Sequence, residues 1–221
     1  GEQAIAAAVG FAGVVGFFHM SIYIGLLIGI TACVSRAVGA HQTETAHALG
    51  TSSLVITGAI GVALTLVTLV FLQPILQGLG AEGRVLELAY RFVLITTPST
   101  ILLGLGMACS ALLRSVGDAR RSMMVTLVPA IVTAVLDPVF IFVFGLGLDG
   151  AAIVVVIARM VLLAVGLWGA WKVHHLLARF QRSRLQRDAK TLFTVAGPAI
   201  LTNLATPVGA AFVTHSIAGF G

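Results

Sequence analysis

Charged side chains are scarce in this 221-residue chain: Asp, Glu, Lys and Arg together make up 10%, against about a quarter in an average soluble domain. With 58% hydrophobic residues and a mean hydropathy of +1.07, this excludes a single water-soluble core that hides its apolar surface. Strict alternation of apolar and polar residues is missing too. Runs such as Leu54 to Leu72 therefore exclude a transmembrane barrel, whose strands are short and alternate. Only Cys33 and Cys109 carry thiols. Both fall inside apolar runs without metal-ligand spacing, so they read as small core residues, and no metal site is expected. No Ser-His-Asp, His-Glu-x-x-His or paired-carboxylate arrangement occurs, so neither an enzyme nor a bound cofactor is expected. The chain opens Gly1-Glu2-Gln3, without methionine or a basic n-region. A signal peptide is not expected, and the sequence reads as an internal fragment.

What is present is a series of apolar runs, near 4–35, 48–78, 88–113, 122–146, 150–173 and 191–220. Each is long enough to cross a hydrocarbon layer of about 30 Å at about 1.5 Å per helical residue. The fold class they predict is an all-α, polytopic transmembrane bundle of about six helices, with the lipid bilayer as its first partner. Glycine-rich and polar gaps punctuate the runs: Gly39 to Glu44, Gly78 to Gly83, Ser115 to Asp118, and Gly145 to Gly150. Alternate gaps differ sharply in basic residues. One set holds Arg36, Arg114, Arg120, Arg121 and the stretch Lys172 to Lys190, whereas the other holds only Arg84 and Arg91. The rich set is expected to be cytoplasmic, which accounts for the net charge of +5 without a nucleic-acid partner. Trp168 and Trp171 then fall at a cytoplasmic interface. The basic stretch 172–190 reads as a cytoplasmic linker, or alternatively as an amphipathic surface helix or anionic-lipid patch.

Gly145-Leu146-Gly147-Leu148-Asp149-Gly150 spells GxGxxG, but it follows a long apolar run rather than the strand of a soluble βαβ unit. It reads as a tight helix-to-helix turn. Small residues at Gly25 and Gly29, and at Gly13, Gly16, Gly104, Gly106, Gly166 and Gly169, suit close helix packing in lipid. Ionisable residues inside the spans carry more information. Asp137 lies in the fourth run, where an ionised carboxylate costs about 2.5–3.5 kcal/mol on insertion scales. Pro138 removes the hydrogen bond to the Ala134 carbonyl and marks a kink-prone point, and Thr133 puts a hydroxyl one turn away on the same face. Together they make half of a cation or proton site. Arg159, in the fifth run, is at similar depth. Either it pairs with Asp137 across a helical hairpin, or it faces another partner or snorkels inward. His19 and His215 read first as hydrogen-bonded packing and second as switches; His174 and His175 read as solvated loop residues.

Several spaced motifs resemble the multidrug and toxic compound extrusion (MATE) family. They are Leu112-Leu113-Arg114-Ser115-Val116-Gly117-Asp118-Ala119-Arg120-Arg121, Val135-Leu136-Asp137-Pro138-Val139-Phe140, and Gly147-Leu148-Asp149-Gly150-Ala151-Ala152, supported by Val34-Ser35-Arg36-Ala37-Val38-Gly39 and Pro74-Ile75-Leu76. The resemblance implies a twelve-helix, two-lobe secondary antiporter that exports organic cations, drugs and other xenobiotics by alternating access, coupled to protons or sodium ions. It implies that 1–175 supplies helices two to six of the N-terminal lobe, 176–190 a basic cytoplasmic linker, and 191–221 the first helix of the C-terminal lobe. Gly197-Pro198-Ala199-Ile200 would open that second lobe. The remainder of the parent chain is then a partner, and a bacterial inner (plasma) membrane the implied location. By resemblance Asp137 matches the acidic residue of the family's N-lobe cavity. Thr133 stands where asparagine is frequent, Val155 where threonine is, and Ser122 where proline is. Two other readings stay open: a lipid-linked oligosaccharide flippase of the same superfamily, which would need several cavity arginines, and a non-transporting membrane scaffold.

Overall fold

The computed structural model describes the backbone of residues 2–218 and the side chains of 3–206, 208, 209, 212 and 213; His215 lies outside the described side chains. The described backbone is a bundle of helices without strands. α1 (Glu2–Gly39) and α2 (Thr43–Val70) form an antiparallel pair, followed by the short α3 (Leu72–Gly78). α4 (Gly83–Thr96) and α5 (Thr100–Ser115) make one span, joined by a 3₁₀ turn at Thr97–Ser99. α6 (Ala119–Pro138) and α7 (Gly147–Leu167) each end in a π-helical turn, Val139–Val143 and Trp168–Val173. α8 (Arg182–Ala218) closes the chain. Among the described residues five helical stretches are long and apolar enough to cross a membrane. The sixth apolar run is helical as far as α8 extends, to Ala218, and its last residues, 219–220, lie outside the described residues.

Prolines explain where the apolar runs break. Pro74 has no N–H for the Val70 carbonyl, and the second run divides there, at Phe71, into α2 and α3. Pro98 likewise frees the Leu94 carbonyl, and the chain tightens into the 3₁₀ turn. After Pro138 the helix widens, with the Phe144 amide donating to the Val139 carbonyl five residues back. The Gly145–Gly150 stretch is the helix-to-helix turn its sequence suggests, with Gly145 and Gly147 at φ +64° and +54°.

The core is built on α1. Tyr23, Leu26, Ile30 and Val34 of α1 pack with Leu49 and Ile56 of α2, Leu112 of α5, and Leu192 and Ala196 of α8. A second cluster joins Ala8, Ala12 and Val15 to α3 and α4. Gly25 and Gly29 face α8: a Cβ at Gly29 would lie 2.6 Å from that of Ala196, and one at Gly25 would overlap Ile200. Gly166 approaches Cys109 and Gly169 approaches Leu113 in the same way, so these small residues are close-packing positions. Gly13 and Gly16 are different: a Cβ at either would meet no atom within 4 Å, because both border a cavity.

The arginine-rich gaps gather at one end of the bundle, and Arg91 and Asp149 pair across α4 and α7 at the other, 2.6 Å apart. At the basic end α5 stops in a Schellman turn. Gly117, at φ +81°, donates to the Arg114 carbonyl, and Asp118 donates to that of Leu113. Asp118 then caps α6: the Arg121 amide donates to Oδ1 at 3.0 Å, while Arg121 Nη1 and His174 Nε2 both lie 2.6 Å from Oδ2. His174 is thus tied to the α5–α6 turn rather than free in the loop. The basic stretch runs irregularly through 175–181 and becomes helical from Arg182. Trp168 and Trp171 are exposed on the π turn, beneath Arg121 and Lys172 respectively.

The His174 and Arg121 donors hold the Asp118 carboxyl well below the ordinary aspartate value of 3.8. A carboxyl depressed in the folded state contributes stability above its unfolded value and loses it as pH falls through the lower folded value. Asp118→Asn is therefore expected to lower the melting temperature of the purified full-length protein at neutral pH. The difference from wild type should shrink as pH drops below about 4. A pH-independent difference would show that the cap geometry, not the charge, matters.

Candidate functional site

Two polar features lie inside the spans, on different elements. The first is on α6. Met123, Leu127, Ile131 and Val135 recur every fourth residue and are 41–60% exposed, forming an apolar stripe that points out of the bundle. Thr133 and Asp137 lie two residues off that stripe, on the opposite side of the helix, and both are half-buried. No hydrogen bond or ion pair joins Asp137 to another described residue. The Pro138 break and the π turn beyond it disturb the backbone beside this carboxylate. A carboxylate, a hydroxyl one turn away and irregular backbone carbonyls can together bind a cation or carry a proton.

The second feature is a partly open cavity of about 190 Å³ lined by α1, α4, the 3₁₀ turn and α7. Gly13, Gly16 and His19 line one side, and Thr96, Thr97, Thr100, Val155 and Arg159 the other. Arg159 Nη1 donates to the Thr96 carbonyl and to Ser99 Oγ, both at 2.8 Å. Residues 97–99 form the 3₁₀ turn, Ser99 Oγ donates to the Thr96 carbonyl at 2.7 Å, and the guanidinium donates to both of these oxygens. Both bonds come from one nitrogen, so the remaining N–H groups of the guanidinium can serve the cavity it borders.

The structure thus places Thr133 and Asp137 together and Arg159 apart from them. Among the described residues there is no Asp137–Arg159 ion pair; of the arrangements open to Arg159, another partner is the one observed. Val155 and Arg159, one turn apart, do face the same cavity. His19 is buried and hydrogen-bonded, its Nε2 2.8 Å from Thr68 Oγ1, in keeping with its packing reading. Around it lies a polar seam that the apolar composition conceals. Thr65 reaches the Thr97 carbonyl and the Thr100 hydroxyl at 3.4 Å, and the buried Thr57 hydroxyl finds no hydrogen-bond partner among the described residues. The sequence signal for this seam is the run Thr96-Thr97-Pro98-Ser99-Thr100, four hydroxyls and a proline inside a span. Ser122 is also buried, its hydroxyl 2.8 Å from that of Ser110, where it links α6 to α5.

The MatE family profile matches residues 1–139. The chain is 29% identical to a Shewanella oneidensis protein named FAD transporter, covering 99% of this chain and 49% of that protein. It is 30% identical to the Staphylococcus aureus multidrug export protein MepA over 62% of this chain and 31% of the relative. Among solved structures, the Vibrio cholerae MATE transporter VcmN in its bent form superposes with a TM-score of 0.86 at 31% identity, over 97% of this chain and 49% of that one. An outward-facing multidrug resistance MATE transporter of the MOP superfamily superposes with a TM-score of 0.85 at 26% identity, over 94% and 47%. The chain spans about half the length of the first of these curated relatives. With the family profile matching well over half of its residues and its helices superposing on solved transporters, this integral membrane chain belongs to the MatE family.

Proposed function

We propose that the protein containing this chain is a secondary active transporter that exports small organic compounds by alternating access, coupled to inward flow of protons or sodium ions. Helices α1–α7 act as five spans of an N-terminal lobe, 176–190, which includes the first residues of α8, is the cytoplasmic linker, and 191–221 opens the second lobe, in a bacterial inner membrane. The observation that carries this reading is the Asp137 carboxylate, half-buried in a membrane-spanning helix beside a proline-broken turn and without a described partner. A carboxylate held there at a cost of some kcal/mol is compensated when a cation or proton binds. Thr133 is its supporting oxygen.

A second reading concerns the substrate. A relative named FAD transporter aligns along 99% of this chain, and Arg159 brings a guanidinium to a cavity whose lining contains no carboxylate. That chemistry suits an anionic, phosphate-bearing organic compound better than a cation.

Vesicles containing the full-length protein separate these readings with two probes, a fluorescent organic cation and FAD, under imposed proton or sodium gradients. Gradient-driven accumulation of the cation supports the first reading. Accumulation of FAD instead supports the second, and Arg159→Gln is then expected to lower its transport by roughly tenfold or more, the loss of a charge-assisted contact. Accumulation of neither would favour a non-transporting scaffold.

A further inference from the structure

We propose that the basic end of the bundle contains a binding site for a phosphate-bearing anion, built by Arg36 of α1 with Arg184 and Arg187 of α8. These three arginines line a cavity of about 310 Å³ between the end of α1, the start of α2 and the start of α8. Gln42 and Thr45 add an amide and a hydroxyl to the same wall.

Charge balance is the first argument. The acidic residue lining the cavity is Asp188, which is buried and accepts a hydrogen bond from Ser52 Oγ at 2.6 Å. Three guanidinium charges less one carboxylate leave two positive charges. Among the described residues none of the three arginines forms an ion pair. Arg184 and Arg187 are three residues apart, so they share a helix face and repel each other.

Helix polarity is the second. Arg182 and Arg184 occupy the first turn of α8, where the positive end of the helix dipole disfavours cations and favours anions. An anion in the cavity would relieve the arginine repulsion and the dipole conflict together, with bidentate guanidinium contacts to phosphate oxygens.

Position is the third. The cavity lies at the arginine-rich end of the spans, the level at which phospholipid phosphates of an anionic leaflet are found. The shared chemistry is a phosphate mono- or diester, supplied either by an anionic lipid headgroup or by a soluble phosphate compound.

The test uses the full-length protein purified in a neutral detergent and reads binding rather than transport, so its result is independent of the proposed transport function. Native mass spectrometry would count phosphatidylglycerol retained by the protein, against phosphatidylcholine as the zwitterionic control and inorganic pyrophosphate as the soluble competitor. Wild type is expected to retain phosphatidylglycerol in preference to phosphatidylcholine. The double variant R184Q/R187Q and the single variant R36Q should each weaken retention, the double by about tenfold or more, while R184K/R187K retains most of it. Displacement by millimolar pyrophosphate would assign the site to soluble phosphate compounds; resistance would assign it to lipid. Equal retention of the two lipids by wild type, with no pyrophosphate binding, would overturn the proposal. So would a R184Q/R187Q protein that binds phosphatidylglycerol as wild type does. Should R184Q/R187Q fail to fold, R36Q against wild type makes the same comparison: unchanged retention by a folded R36Q overturns the proposal.

Discussion

Asp137→Asn in the full-length protein is expected to reduce ion-coupled efflux by roughly ten- to a hundredfold at matched membrane abundance. That range corresponds to losing a charge-assisted interaction of about 1.5–3 kcal/mol. Asparagine preserves the side chain's size but removes the charge, so folding should be little affected. Because no described residue pairs with Asp137, the substitution strands no buried cation; in a membrane span it removes a desolvation cost. A melting temperature equal to or above wild type, together with lost efflux, is therefore the expected signature. A structural carboxylate would give the reverse pattern, with lowered stability and efflux falling only in step with protein abundance. Thr133→Val removes a neutral ligand and is expected to cost only severalfold, near the roughly 0.5–1.5 kcal/mol of an ordinary hydrogen bond. Efflux of a fluorescent organic cation in cells stripped of other pumps measures both variants. Unchanged efflux by Asp137→Asn would remove this carboxylate from the proposed coupling role.

How much of this fold is legible in the sequence depends on whether a residue's role is set locally. Hydropathy locates the spans because each run is apolar over a bilayer's thickness. The Gly117-Asp118 turn is legible as a break because a left-handed glycine and a capping acid act within a few residues. The subdivision at Phe71 and the 3₁₀ turn at 97–99 escape the same reading, since hydropathy averages over Pro74 and Pro98 while the backbone does not. Asp137 and Thr133 fall on one side of α6, as i, i+4 spacing requires. Spacing does not assign Arg159 a partner. Depth in two antiparallel helices is predictable from spacing, but rotation about each axis is not. Its actual partners, the Thr96 carbonyl and Ser99 Oγ, lie 63 and 60 positions earlier in the chain. His174 likewise reads as a solvated loop residue until the fold brings it to Asp118, 56 positions away.

Gly29→Leu is expected to destabilise the fold strongly. At Gly29 even a methyl would meet the Ala196 side chain at 2.6 Å and its backbone at 3.1 Å, and the neighbouring atoms belong to a helix rather than to a flexible side-chain tip. One added methyl in such a contact costs about 1–3 kcal/mol, and leucine extends well beyond a methyl. Helix propensity alone predicts the opposite sign, because leucine improves on glycine by up to about 1 kcal/mol in a helix interior. Gly10, on the same helix with nothing within 4 Å, supplies the control. Gly10→Leu should leave the melting temperature of the full-length protein unchanged or raised, while Gly29→Leu lowers it. A matching response at both positions would mean that the α1–α8 approach is not among the contacts holding the fold. If instead Gly29→Leu melts like wild type but fails to transport, the contact closes in only one state of the cycle. A leucine there would then hold α8 away from α1 and trap the protein in the other state, so the glycine would serve the conformational change rather than stability.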